Sequence, residues 1–324
     1  MAGDSYVVRR LVLRRAGFGV GQLVVLLVLV FVLSLLLPGD AADIQSNTIL
    51  SEAQQQTARR LLGLDISPVT RFLDWIGGAL GGDLGTSYAG GEPVGTVIAG
   101  PFLITGLLAG TALILLVPIV VLAGFAAGTR PGSARDRVIT SISIGFDSIP
   151  DFVLAVLLVT FLSIRLELFP ATFLGVDPGT LLERPDYLVL PLIVTVARVA
   201  APLVRLVRAG VIDVLDRPYI AQARRAGVGR VSLLVRHIAP NALAPAMQEL
   251  GRTGDGLLSG VLIVEAVFAV PGIATELIGA IANRDDPVIL AIVTVTGTIA
   301  VVVNTLIDMA GYRMHPHAVA EQRG

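Results

Sequence analysis

Six stretches of this chain are apolar enough to enter a bilayer, and most of the polar residues fall between them. A helix pairs its own backbone groups, so about 20 apolar residues cross a hydrocarbon core of about 30 Å. Residues 17–37 carry no charge and follow Arg9, Arg10, Arg14 and Arg15. That run is longer than a signal-peptide core and lacks an A-x-A-like cleavage site, which predicts a retained first span behind a cytoplasmic stretch, 1–16. Residues 38–100 turn polar, with seven acids against Arg59, Arg60 and Arg71. Helix-forming composition over 51–62, and glycines from Gly77 to Gly85 that should end structure soon after Trp75, predict a small external helical segment. Further spans are expected over 101–128, with a kink at Pro118, and over 138–164, where Asp147 and Asp151 flank Pro150. The remaining spans are 187–212, with helix continuing to about 215, then 254–274 and 287–310. A polar island, 216–251, separates the fourth span from the fifth, and 311–324 form a cytoplasmic tail.

Composition turns this pattern into a class. The 324 residues are 54% hydrophobic and 15% charged, with mean hydropathy +0.81, which fits a polytopic membrane protein. All 24 basic residues are arginine, and 18 of them fall on one side of a six-span topology, counting Arg198 with the loop that follows it. The positive-inside rule makes that side cytoplasmic, so both termini are expected there, in the plasma membrane. The expected fold is an all-α membrane protein of six transmembrane helices. A net charge of −1 gives no sign of a nucleic-acid partner, and zero cysteines exclude disulfides, iron–sulfur clusters and thiol catalysis. Gly81-Gly82-Asp83-Leu84-Gly85 lacks the Lys-Ser/Thr ending of a phosphate loop and reads as an external turn. His237, His315 and His317 form neither a triad nor a closed metal site, and no catalytic, cofactor or metal residue is expected.

The island holds the most specific signal. Apolar Leu233, Leu234 and Val235 and polar Arg224, Arg225 and Arg230 give an amphipathic pattern over 219–235, suited to a helix lying flat at the inner surface. Small Ala221, Ala223 and Ala226 permit close approach, Gly227 should break the helix, and Pro240 should begin re-entry into the fifth span. Amphipathicity alone leaves open a helix that touches only lipid headgroups. However, Tyr219-Ile220, Ala223-Arg224, Gly227, Arg236-His237 and Asn241-Ala242-Leu243 follow a pattern Y-[VI]-x-x-A-R-x-x-G and R-H-x-x-N-A-L. Here the chain resembles the oligopeptide and dipeptide branch of ABC-importer permeases, at the loop that docks into the ATPase. Leu36-Leu37-Pro38-Gly39-Asp40, Leu62-Gly63-Leu64-Asp65, Gly82-Asp83-Leu84-Gly85-Thr86-Ser87, Ser148-Ile149-Pro150, Val264-Glu265-Ala266-Val267-Phe268 and Pro271-Gly272 extend the resemblance along nearly the whole chain.

That resemblance implies a non-catalytic type I permease bundle with a cytoplasmic coupling helix. It implies a second homologous permease in a heterodimer, two ATPase subunits or one fused ATPase holding ATP and Mg, and an external peptide-binding protein. Tyr219, Ala223, Arg224, Arg225, Gly227, Arg236, His237, Pro240 and Asn241 are the implied coupling residues. Ala221 stands where the wider superfamily has Glu, and Pro240 where the branch more often has a basic residue, so docking is expected to lean on Arg224 and Arg225. Relatives that carry nickel chelates or glutathione share the loop and keep the substrate open.

Counted from the flanks at about 1.5 Å per residue, four charges land well inside the hydrocarbon core: Asp147, Asp151, Arg198 and Glu265. A lone charge at that depth costs a few kcal/mol, on the order of 2.5–3.5, so each must face protein or water. Asp147 and Asp151 lie at i, i+4, and Arg198 at comparable depth, which predicts an ion pair of Arg198 with one of the two acids. An alternative puts the acids along the transport path, facing a substrate's amino terminus. Another class of function, an ion-coupled secondary carrier, would use Asp147, Asp151 and Glu265 to move protons, and the long polar loop argues against it.

Overall fold

The computed structural model describes residues 2–45, 52–174, 183–252 and 254–314, and these are almost entirely helical. His315, His317 and most of the 311–324 tail lie outside the described residues. In order, the helices are α1 (Ala2–Leu36), α2 (Ala41–Gln45), α3 (Glu52–Leu61), α4 (Pro68–Leu80), α5 (Val94–Gly128), α6 (Ala134–Ser148) and α7 (Asp151–Leu158). After them come α8 (Asp186–Leu215), α9 (Pro218–Arg225), α10 (Arg230–Ser232), α11 (Ala239–Arg252), α12 (Gly254–Phe268), α13 (Ile273–Ala282) and α14 (Asp286–Met314). Two π-helical stretches, Val159–Arg165 and Leu233–Ile238, extend α7 and α10. By length and composition, four helices can cross a membrane: residues 17–36 of α1, then α5, α8 and 286–306 of α14. The count reaches six if α6 with α7 and α12 with α13 are each one span.

The run expected as the third span forms two helices, not one. Its two halves meet at an angle of 107°, because Pro150 has no N–H to continue a helix and forces Ile149 into extended backbone (φ −98°, ψ 125°). Three other expectations also shift. The fifth apolar run stops being helical at Phe268, short of 274. The link left between the fifth and sixth expected spans is largely the helix α13, because Ile273, Ala274 and Ala280 are buried and give that segment an apolar face. In the segment expected to be external, α4 continues past Trp75 through Gly77 and Gly78 to Leu80, with Phe72 and Trp75 anchored against apolar neighbours.

The chain divides into two compact units, residues 105–270 and residues 1–104 with 271–324. In the first, α8 is the central helix, packed against α6, α7, α11 and α12. Val199, Leu203, Val204, Val207, Val211 and Val214 form its buried stripe, which continues into Leu116 and Val120 of α5 and Ile238 and Ala242 beyond the loop. A Cβ at Gly210 would stand 2.5 Å from the Ala242 carbonyl oxygen, so α8 and α11 touch backbone to backbone.

The other unit pairs α1 with α14. Leu27, Phe31 and Leu290 form its core, and the Phe31 ring stacks on Phe72 of α4 at 4.8 Å. Buried Asp285 accepts from the Ser87 hydroxyl at 2.5 Å and from the backbone N–H of Tyr88 and Ala89, both at 3.1 Å, which fixes the turn at 87–90 on the start of α14. Burial there raises the Tyr88 phenol above its ordinary pKa, opposed by Arg71.

Candidate functional site

The polar island folds as a short helix, a glycine stop and a second helical arm. Pro218 begins α9, where a missing N–H breaks no bond, and buried Ile220 fixes the helix to the core. Gly227 takes φ +80°, with its N–H on Arg224 O and the next N–H, from Val228, on Ala223 O, both at 3.1 Å. This double closure satisfies the last carbonyls of α9, and the left-handed conformation favours glycine. A single flat helix over 219–235 is therefore not what forms. Ala223 and Val228 turn towards the core, while Ala221, Arg224, Arg225, Arg230 and Arg236 are exposed.

Pro240 sits at the second position of α11, a 14-residue helix lying on α8, so it opens that helix and not the fifth apolar run. The Asn241 amide donates to the Tyr219 hydroxyl at 3.3 Å and to the His237 carbonyl at 3.1 Å, tying α9 to the second arm. Half-buried His237 lies in the π-helical stretch, between buried Leu233 and Ile238. No acid pairs with Arg224, Arg225, Arg230 or Arg236 among the described residues. Arg217, by contrast, meets Asp213 at 2.8 Å, and that hydrogen bond raises the guanidinium above its ordinary pKa.

Three ion pairs join α8 to the elbow of α6 and α7. Arg198 meets Asp151 at 3.0 Å, and Asp147 takes Arg205 instead, at 2.7 Å. Arg208 holds Asp136 with two N–H groups, one of them at 2.8 Å from Oδ2. Asp136 also accepts from the Gly132 N–H and the Thr140 hydroxyl. Steps of seven and three residues place Arg198, Arg205 and Arg208 on one face of α8. Asp147 and Asp151 stand on either side of the Pro150 break, so two arginines of a single helix clamp both arms of the bend.

Glu265 belongs to none of these pairs. Its side chain is wholly buried in α12 and accepts from the Thr105 hydroxyl of α5 at 2.5 Å. A carboxyl group at that depth needs such donors.

Residues 119–318 match the family described as "Binding-protein-dependent transport system inner membrane component". The chain belongs to this family. Of its relatives, a Brucella ovis protein provisionally named a peptide permease is 33% identical over 307 residues, covering 93% of this chain and 96% of its own. A peptide transport system permease of Brucella abortus, also provisionally named, is 31% identical over 303 residues, covering 92% and 95%. The glutathione transport system permease protein GsiC of Escherichia coli O6:H1 is 30% identical over 312 residues, covering 96% and 98%.

As an ABC-importer permease, the chain is a membrane subunit of a class that works with ATPase and binding-protein partners. The family match contains the whole 216–251 island, the three arginines of α8 and Glu265. Asp136, Arg205, Arg208 and Thr105 were not singled out from the sequence as site residues. The regular spacing of the α8 arginines was the available signal for two of them, while Asp136 and Thr105 become partners only through packing. Among the described residues, no group of three His, Cys, Asp or Glu side chains is arranged to hold a metal ion.

Proposed function

We propose that this permease forms half of the translocation path of an ATP-driven importer of short peptides and takes its drive from separate ATPase subunits through the 216–251 island. The carrying observation is the exposed basic surface of Arg224, Arg225, Arg230 and Arg236, borne on two arms fixed to α8 by Ile220, Leu233 and Ile238. A push on that surface passes into α8 through backbone contact at Gly210 and Ala242. The second half of the path is a homologous permease, both termini are cytoplasmic, and ATP and Mg are held by the ATPases. Peptide cargo rests on the names of the two Brucella relatives. The Escherichia coli relative widens the cargo class to glutathione, itself a short peptide.

Co-purification of the tagged chain with its ATPase subunits, followed by peptide-stimulated ATP hydrolysis in liposomes with the binding protein, tests this reading. Gly227→Asp places a side chain on left-handed backbone and a negative charge among the arginines, and should lose docking or stimulation. Peptide transport by the chain alone on a proton gradient would overturn the reading and favour an ion-coupled carrier.

A further inference from the structure

Every residue of α8 from Asp186 to Arg208 is buried or half-buried except Arg198. This helix of 30 residues is about 45 Å long, and Arg198 lies about 18 Å from its start. A hydrocarbon core of about 30 Å includes that position wherever it falls along the helix. The Arg198 side chain is nevertheless 53% exposed, and beside it on the elbow Asp147 is 40% and Arg205 34% exposed, whereas Asp151 is 10% exposed. Lipid cannot solvate charges at this depth, so the surface that carries them faces water or protein. A guanidinium has five N–H donors in a planar fork, and Asp151 engages NH1 at 3.0 Å from inside the bundle. The outward part of that fork suits a carboxylate.

We propose that the elbow strip of Asp147, Ser148, Arg198 and Arg205 lines the aqueous path, and that Arg198 binds the carboxylate of a passing peptide. This rests on the peptide-importer reading above. Asp151 is then a positioning residue, which holds the guanidinium at the elbow and turns its outer edge to the path. The ligand class is the free carboxylate terminus of a short peptide.

The chain has no cysteine, so a single introduced thiol reports its own surroundings. Ser148 is exposed at the elbow, and Ser148→Cys leaves all three ion pairs intact. In native membranes, with the assembled transporter, a membrane-impermeant quaternary-ammonium thiol reagent should label Ser148→Cys and Asp147→Cys at least tenfold faster than Phe161→Cys on an apolar exposed surface. Millimolar dialanine should slow labelling of Ser148→Cys several-fold, and dialanine amide should not. Adding Arg198→Gln should abolish that protection while labelling persists, and Arg198→Lys should restore part of it. Labelling no faster than at Phe161→Cys, equal protection by the amide, or protection that survives Arg198→Gln would each overturn the proposal. Dialanine import by the unsubstituted chain is measured in the same membranes. Absent import overturns the peptide reading beneath it, whereas import with an unlabelled or unprotected Ser148→Cys overturns the elbow site alone.

Discussion

Two groups of arginines lie close together in this chain and meet opposite fates. Arg198, Arg205 and Arg208 on α8 each hold an aspartate of α6 or α7, at 2.5 to 3.0 Å. Arg224, Arg225, Arg230 and Arg236, on the island that follows, are exposed and meet no acid among the described residues. Charges in the apolar part of the chain have to be matched from within it, because removing one partner strands the other. Charges on a water-facing loop carry no such penalty and stay available to another molecule. The same residue type is therefore paired with acids of its own chain in one region and not in the other.

The sharpest attack on this division is Asp136→Ala. It strands the Arg208 guanidinium and removes the acceptor of the Gly132 N–H and the Thr140 hydroxyl, so the largest loss of the series is expected here. Thermal unfolding of the detergent-purified chain would show a clear drop. The double variant with Arg208→Ala should lose less than the sum of the two single losses. Gly210→Ala comes next, since its Cβ would press on the Ala242 carbonyl. A cost of about 1–3 kcal/mol is expected in the same assay, and wild-type stability would show that the two helices separate freely.

Gly227→Ala should cost about 1–2 kcal/mol from left-handed backbone alone, because a Cβ there meets nothing within 4 Å. Gly227→Asn, which tolerates that backbone better, should cost less, and equal losses would show that something other than backbone conformation is at work. The smallest effect on stability belongs to Arg224→Ala with Arg225→Ala, within about 0.5 kcal/mol. Their effect should appear as weaker ATPase co-purification, with wild-type docking itself falling as salt rises from about 0.05 to 0.5 M. If this pair destabilises the isolated chain as much as Asp136→Ala does, the two groups of arginines are not different in kind.

Much of the island was legible in the sequence because its signals are local. Gly227 after an alanine- and arginine-rich turn announces a helix stop, and the order of Tyr219, Ala223, Gly227 and Asn241 carries the family pattern. The elbow was only half legible. The span expected over 138–164 runs through Pro150 between its two acids, and neither the 107° bend nor the choice of partner is a local property. Both acids are spaced to meet Arg198. Packing gave it Asp151 and left Asp147 to Arg205. Ile273 and Ala280 likewise form a buried helix face in a segment that lay between two expected spans.

By itself the sequence determined the class of solvent, the apolar runs and the family. These follow from composition and short-range order, which hold whatever the chain packs against. Tertiary structure alone decided which charges cancel, where Glu265 finds the Thr105 hydroxyl, and that Arg198 reaches the surface of an otherwise enclosed helix. Those outcomes depend on distances between residues dozens of positions apart, which no local pattern encodes.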